Sequence, residues 1–331
     1  MAKRRARSVS PAPGGSRKWA GNVWWPWFKR GASAVFFVLV AGLLISQARS
    51  IEWGQVFTSL RRYPLSAAWA AALLALASFT LYSTFDLLGR RYTGHKLSAP
   101  SVMTVTFISY AFNLNLGSLV GGVAFRYRLY SRLGLKIGVI TRIMSLSMLA
   151  NWMGYVLLAG LVFSLRPPDL PASWPVDAAH LRAIGIALLL VAAGYLALCA
   201  ASRQRTLRIR HHEIDFPSPG LAALQLLMGA SNWLLMSGII FTLLQQRIAF
   251  PTVVSVLLLA AIAAVIAHIP AGLGVLEAVF VALLSYQMPR HELLAALVAY
   301  RVIYYLVPLG VAAVVYLVTE ARAQQLAKAA G

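Results

Sequence analysis

His268-Ile-Pro-Ala-Gly-Leu-Gly-Val-Leu-Glu277 decides how this chain is read. Pro270, Gly272 and Gly274 break an apolar run, Thr252 to Tyr286, and the stretch sets an imidazole and a carboxylate inside it. Hydrocarbon offers no water to freed backbone N–H and C=O groups, so such a break has to be buried in protein or line a wet cavity. The stretch is therefore the first candidate for a site.

The surroundings of the break set its solvent. Of the 331 residues, 60% are hydrophobic and 12% charged, and the mean hydropathy is +0.71. That composition belongs to polytopic helical membrane proteins, and runs of about 20 apolar residues, enough to cross ~30 Å of hydrocarbon, recur along the chain. The 30 Lys and Arg against 9 Asp and Glu give a net charge of +21. Most of these cations fall in segments that all fit the cytoplasmic side, as the positive-inside rule requires, and the surplus suits anionic lipid headgroups. With no basic soluble domain to carry it, nucleic acid is not expected as a partner. The single Cys199 excludes an intrachain disulfide and a cysteine metal site.

Working outward from the break gives a topology. Residues 1–30 hold basic residues, Pro and Gly without apolar periodicity, and read as a disordered cytoplasmic tail ending in an interfacial belt of Trp24, Trp25, Trp27 and Phe28. Ala32–Ser50 reads as a retained first span, Ile51–Tyr63 as a short interfacial helix, and Leu65–Leu88 as the return, closed by a basic loop with Arg90, Arg91 and Lys96. Ser101–Gly122 is different: it contains Asn113, Asn115, Gly117, Gly121 and Gly122, and both its flanks are basic, so a re-entrant hairpin fits better than a crossing. Ile137–Leu165, Leu181–Ala201, Leu221–Leu244 and Leu293–Val318 read as further spans, with a basic cytoplasmic loop around Arg203–Arg210 and an outer loop at Arg166–Ala179. Thr252–Tyr286 is then a second re-entrant hairpin, entering from the other face.

The expected fold is an all-α polytopic membrane protein of about six full spans and two re-entrant hairpins. A membrane domain at 31–320 divides into halves at about 31–165 and 180–320, followed by a cytoplasmic tail at 321–331. Each half makes an odd number of crossings, so the halves are inverted, with an offset near 150 residues that sets Gly122 against Gly272.

Ionisable groups within membrane segments are costly and mark function by default. They are Asp86, Arg126, Arg142, His268, Glu277 and Arg301. Arg301 lies inside the last span and needs a partner, for which Glu277 is the candidate nearer in sequence of the two carboxylates just named; the pair is either an internal strut or a polar site for a headgroup or proton. Arg126 and Arg142 are either snorkelling cations or headgroup contacts. Asp86 is expected at the interface, facing Arg90 or Arg91. His268 is a satisfied imidazole or a site residue, and Asn113 and Asn115 either satisfy the broken backbone or touch substrate. No phosphate-binding Gly-rich loop with Lys, no HExxH and no Cys/His spacing is present, so neither a metal nor a cofactor is expected. A transferase would have only Glu277 and Asp86 as a base, and the chain is not read as an enzyme.

Asn113-Leu-Asn-Leu-Gly-Ser-Leu-Val-Gly-Gly-Val-Ala-Phe-Arg126, His268 through Glu277, and Arg301 through Pro308 together resemble the flippase-like membrane domain of bacterial lysylphosphatidylglycerol synthases, the MprF family, and its stand-alone YbhN-like relatives. The resemblance covers about Ala32 to Val318. Relatives usually show Pro-Gly-Gly-x-Gly where this chain has Pro270-Ala271-Gly272-Leu273-Gly274, and Leu116 stands where a Pro often precedes the first glycine. The resemblance implies a bilobal fold with lipid-accessible cavities at the hairpins, in the inner membrane with both termini cytoplasmic. It further implies that a phospholipid or isoprenoid-linked lipid is moved or bound, with Arg126, Arg142 and Arg301 at an anionic headgroup. No aminoacyl-transferase domain is expected in a chain ending at Gly331. The alternative is a non-transporting accessory subunit that partners a lipid or glycan biosynthetic enzyme.

Overall fold

The computed structural model describes residues 54, 55, 58, 63–168, 170, 177–201, 206–209, 212–215, 217–267, 269 and 272–329. The expected tail, the first span and nearly all of the interfacial helix lie outside these residues, as do His268 and Pro270. The chain divides into two compact units, of which the second, Ile51–Gly331, holds every described residue.

Helices dominate because each apolar segment must satisfy its own backbone in lipid. We label them α1 (Leu65–Ser83), α2 (Phe85–Thr93), α3 (Ala99–Leu116), α4 (Phe125–Arg132), α5 (Ile137–Leu165), α6 (Ala178–Ala201), α7 (Pro219–Leu243), α8 (Phe250–Ala267), α9 (Val275–Leu284), α10 (Arg290–Tyr300) and α11 (Val307–Ala329). Two π-helical stretches, π1 (Ser118–Ala124) and π2 (Arg301–Leu306), join α3 to α4 and α10 to α11. Local chemistry sets several ends. Ser98 and Ser218 cap α3 and α7 by accepting from Ser101 N and Leu221 N, each with a proline in the first turn. Thr84 bends α1 into α2, its hydroxyl donating to Leu81 O at 2.6 Å.

Six helical segments among the described residues are long and apolar enough to cross a membrane: Leu65–Thr93, Ile137–Leu165, Ala178–Ala201, Pro219–Leu243, Phe250–Ala267 and Arg290–Ala321. Five coincide with expected spans. The sixth, Phe250–Ala267, falls within the stretch read as the second hairpin, where it is the arm ahead of the break; its 18 residues also suffice for a crossing.

Between α6 and α7, in the stretch read as a basic cytoplasmic loop, strands β1 (Thr206–Ile209) and β2 (His212–Asp215) pair antiparallel. The sequence between them, Arg-His, lacks the usual Asn-Gly hairpin signal.

The chain reverses at both glycine-rich breaks. Gly117, at φ 82°, ends α3. A Cβ on Gly121 would lie 2.2 Å from Asn113 N, eight positions earlier; along a continuous helix that separation is about 12 Å. At the second break, a Cβ on Gly272 would stand 3.1 Å from the Cβ of Ala264, again eight positions earlier. α3 thus packs against π1, and α8 against α9.

Small residues bring helices together. α5 packs closely on α7, where a Cβ on Gly229 would fall 2.1 Å from Ala150 O and 2.8 Å from Gly154 Cα. Such contacts are how helices associate where lipid removes the hydrophobic drive between them. Large apolar side chains instead line the outside, as with Leu65, Trp69, Leu73 and Leu76 along one face of α1.

Candidate functional site

One buried ion pair, one partly buried ion pair and a hydroxyl cluster form the polar interior. In the first, Arg126, the second residue of α4, donates from Nε to Asp86 Oδ2 at 3.1 Å and from Nη2 to Ser147 Oγ at 3.4 Å. Tyr130 OH donates to the same Asp86 oxygen at 2.8 Å. The two charged side chains are 4% and 0% exposed, so Arg126 does not snorkel. Asp86 does not face Arg90 or Arg91 at an interface: burial of Arg126 leaves a cation that only a carboxylate of comparable burial offsets, and α2 supplies it. Asp86 Oδ1 has no hydrogen-bond partner.

In the second pair, Arg301 opens π2 and grips Glu277 with two bonds, Nε to Oε1 at 2.9 Å and Nη2 to Oε2 at 3.3 Å. Nη2 also donates to Gly272 O at 2.9 Å. A bidentate guanidinium–carboxylate contact fixes direction as well as charge. The guanidinium sits 4.7 Å from the centroid of the Tyr305 ring, a cation–π contact within π2 itself.

π2 is where the two reversals converge. Asn115, at the end of α3, donates from Nδ2 to Ala111 O at 2.9 Å and to Tyr305 O at 3.2 Å. The first break is thereby tied to π2 by an amide, the second by Arg301 through Gly272 and Glu277. A π turn frees carbonyls from the regular α ladder, and such turns are frequent at functional sites.

Between the pairs lies a cluster of neutral groups. Ser78 Oγ donates to Asn232 Oδ1 at 2.7 Å and lies 2.7 Å from Tyr304 OH, which in turn lies 2.9 Å from Tyr110 OH. Tyr110 stacks on Tyr82 with ring centroids 3.5 Å apart, and Tyr304 stacks on Tyr300 at 5.4 Å. α1, α3, α7 and π2 thus share one polar node.

The candidate residues fall into groups. Glu277, Arg301, Gly272 and Asn115 meet at π2. Asn113 holds the first reversal: its carbonyl accepts from Gly117 N at 2.9 Å, and its amide oxygen would touch a Cβ on Gly122 at 2.9 Å. Gly274 starts α9 at φ 77°. Arg126 belongs to the separate Asp86 cluster, and Arg142 lies exposed in the first turns of α5. Asp86 as partner, Tyr130, Ser147, Ser78, Asn232 and the tyrosines of π2 were missed. Polar Asn232 within an apolar span and the run Tyr300, Tyr304, Tyr305 were the signals that would have found some of them.

Comparison with known proteins respects the same boundaries. Residues 32–312 match the model of the lysylphosphatidylglycerol synthase TM region. The chain is 45% identical over 303 residues to the inner membrane protein YbhN of Escherichia coli, covering 91% of this chain and 95% of that protein. It is 31% identical over 280 residues to an uncharacterized protein of Synechocystis, covering 84% and 87%. A phosphatidylglycerol lysyltransferase of Staphylococcus haemolyticus is 26% identical over 295 residues, 85% of this chain but 32% of that protein.

Proposed function

This chain belongs to the family of the lysylphosphatidylglycerol synthase TM region, and from that premise we propose that it passes a polar-headgroup lipid between the leaflets of a bacterial inner membrane. The observation that carries the reading is Arg301. It is a charged group well inside the Arg290–Ala321 span, held at a π turn against both chain reversals. A headgroup crosses hydrocarbon slowly because its charge is costly there, and a path needs fixed charge and irregular backbone at depth. Opening the two reversals away from π2 exposes Arg301 to an anionic phosphate and Glu277 to a cationic group. On this reading both termini are cytoplasmic, and Arg126 and Arg142 are the cations a headgroup entering from that side would pass.

In this reading the two reversals are re-entrant hairpins entering from opposite faces, within inverted halves. The order of elements supports it: α1–α2, α3, π1–α4, α5 recurs as α7, α8, α9, α10–α11 about 150 residues on. Ser78 and Asn232 occupy equivalent places on α1 and α7, and they bond to each other, as residues beside a pseudo-two-fold axis do.

Leaflet exchange of labelled phospholipids and isoprenoid-linked lipids in liposomes, with wild type, Glu277→Gln and Arg301→Ala, tests the assignment. Exchange lost in both variants is expected; equal rates in all three proteins overturn it. The three hydrogen bonds that hold the Arg301 guanidinium to Glu277 and Gly272 favour one second reading, a fixed strut in an accessory subunit of a lipid or glycan biosynthetic enzyme. That reading predicts a co-purifying enzyme and no exchange by the purified chain.

A further inference from the structure

Far from π2, three span ends enclose a cavity of about 270 Å³. It is lined by Tyr63, just ahead of α1; by Leu243, Leu244, Gln245 and Arg247 at the end of α7; and by Met288, His291, Glu292 and Ala295 at the start of α10. Because α1 and α10 begin here and α7 ends here, the cavity lies at the level of a membrane surface. The Arg290–Ala321 helix places it at the end of the bundle opposite the Arg132–Glu320 ion pair.

Independent observations at this cavity point to a ligand. Tyr63 OH is buried and has no hydrogen-bond partner among the described residues, an unmet need that native structures avoid unless something else fills it. Gln245 and Gln246 are the two non-glycine residues with positive φ among those described, at 53° and 59°. Their N–H groups already close the helix end, on Thr242 O and Phe241 O, so glycine would serve the backbone with less strain. Glutamine at 245 instead sets a carboxamide on the cavity wall, and strain of this kind collects at binding sites. The walls join an apolar floor of Leu243, Leu244 and Met288 to the Arg247–Glu292 ion pair.

We propose that this cavity binds a zwitterion carrying a phosphate and a primary ammonium, of the phosphoethanolamine class. An anion alone would meet the Glu292 carboxylate, and a lone amine would meet the Arg247 guanidinium. A zwitterion gives each a counter-charge, the phosphate to Arg247 and His291 and the ammonium to Glu292. Tyr63 OH and the Gln245 carboxamide bond the phosphate oxygens. The volume is that of roughly nine waters at ~30 Å³ each, room for a headgroup and not for acyl chains. Those chains have a place: the exposed face Leu65, Trp69, Leu73, Leu76 starts within a turn of Tyr63. The lipid source of the ligand rests on the reading of the chain as a lipid carrier; the binding chemistry does not.

Calorimetric titration of the full chain in phosphatidylglycerol nanodiscs tests this without requiring transport. Free phosphoethanolamine should bind saturably and more tightly than glycerol phosphate. Glu292→Gln and Arg247→Gln should weaken it about tenfold or more, Tyr63→Phe several-fold, and Arg132→Gln at the other end not at all. Glu292→Gln should leave glycerol phosphate unchanged or tighter. Tyr63→Phe preserves the ring, so its effect is read on a folded protein. If doping the discs with phosphatidylethanolamine competes away the free ligand, the ligand is lipid-borne; if it does not, the ligand is soluble. Absence of saturable binding, equal binding of glycerol phosphate by wild type, or indifference to both Glu292→Gln and Tyr63→Phe overturns the proposal. Binding that persists while leaflet exchange fails would leave this site standing and remove only the transport reading.

Discussion

The two ion pairs differ in burial, and that difference orders their energetics. Removing one partner of a fully buried pair typically costs about 3–5 kcal/mol, whereas replacing both with apolar groups is often neutral. Arg126→Met alone should therefore lower the thermal unfolding temperature in detergent sharply, and Asp86→Leu with Arg126→Met should recover most of the loss. Arg301→Met should cost less, because its side chain and that of Glu277 are 13% and 22% exposed and partly solvated. Both singles behaving like the double mutant would mean the Asp86–Arg126 contact carries no weight. The Arg301–Glu277 pair was legible in the sequence because Glu277 is the carboxylate set in the broken apolar run ahead of the last span, whereas Glu292 and Glu320 fall at that span's two ends. The Asp86–Arg126 pair was not, since charge placement relative to a membrane orients segments without saying which side chains meet. Asp86 had two arginines close by in sequence, and neither is its partner.

Reversal of the chain depends on the absence of a single atom. At Gly121 a Cβ would fall within 2.3 Å of Phe112 C, Phe112 O and Asn113 N, backbone atoms that cannot rotate away. Gly121→Ala should destabilise by more than the ~1–3 kcal/mol of ordinary overpacking, while Gly194→Ala, whose Cβ would meet nothing within 4 Å, should be silent. Yield and thermal stability of the two variants check this, and equal behaviour would refute the close approach. Glycine clusters made both breaks visible from sequence, but not the π turns. A π turn leaves no compositional mark: Ser118–Ala124, with two glycines, and Arg301–Leu306, with two tyrosines, share no pattern. The ribbon between α6 and α7 escaped for a related reason, as four-residue strands flanked by arginine carry no periodicity long enough to read.

Across the whole molecule, the Arg128/Arg132–Glu320 contacts mark one end and Arg247–Glu292 the other. With Cys199 as the single cysteine, Cys199→Ser gives a cysteine-free background in one step. Single cysteines in place of Arg132 and of Arg247 should then be modified by an impermeant maleimide from opposite sides of sealed vesicles, Arg132→Cys from the cytoplasmic side. Labelling of both from one side would remove the inverted arrangement and the alternating path built on it. Five of the spans were legible because bilayer thickness imposes a length on every crossing helix. The identity of the sixth was not, since an 18-residue apolar helix ending at a break satisfies both a crossing and a hairpin arm.

The π turn in the last long helix also makes that helix a splice of two phases. Upstream of Arg301 the side chains keep to one angular sequence; beyond Leu306 they keep to another, offset by the surplus residue. Deleting one residue from Arg301–Leu306 would restore a plain α-helix and rotate everything beyond it by about 100°. Arg301 would keep its grip on Glu277, and Glu320 would swing away from Arg128 and Arg132.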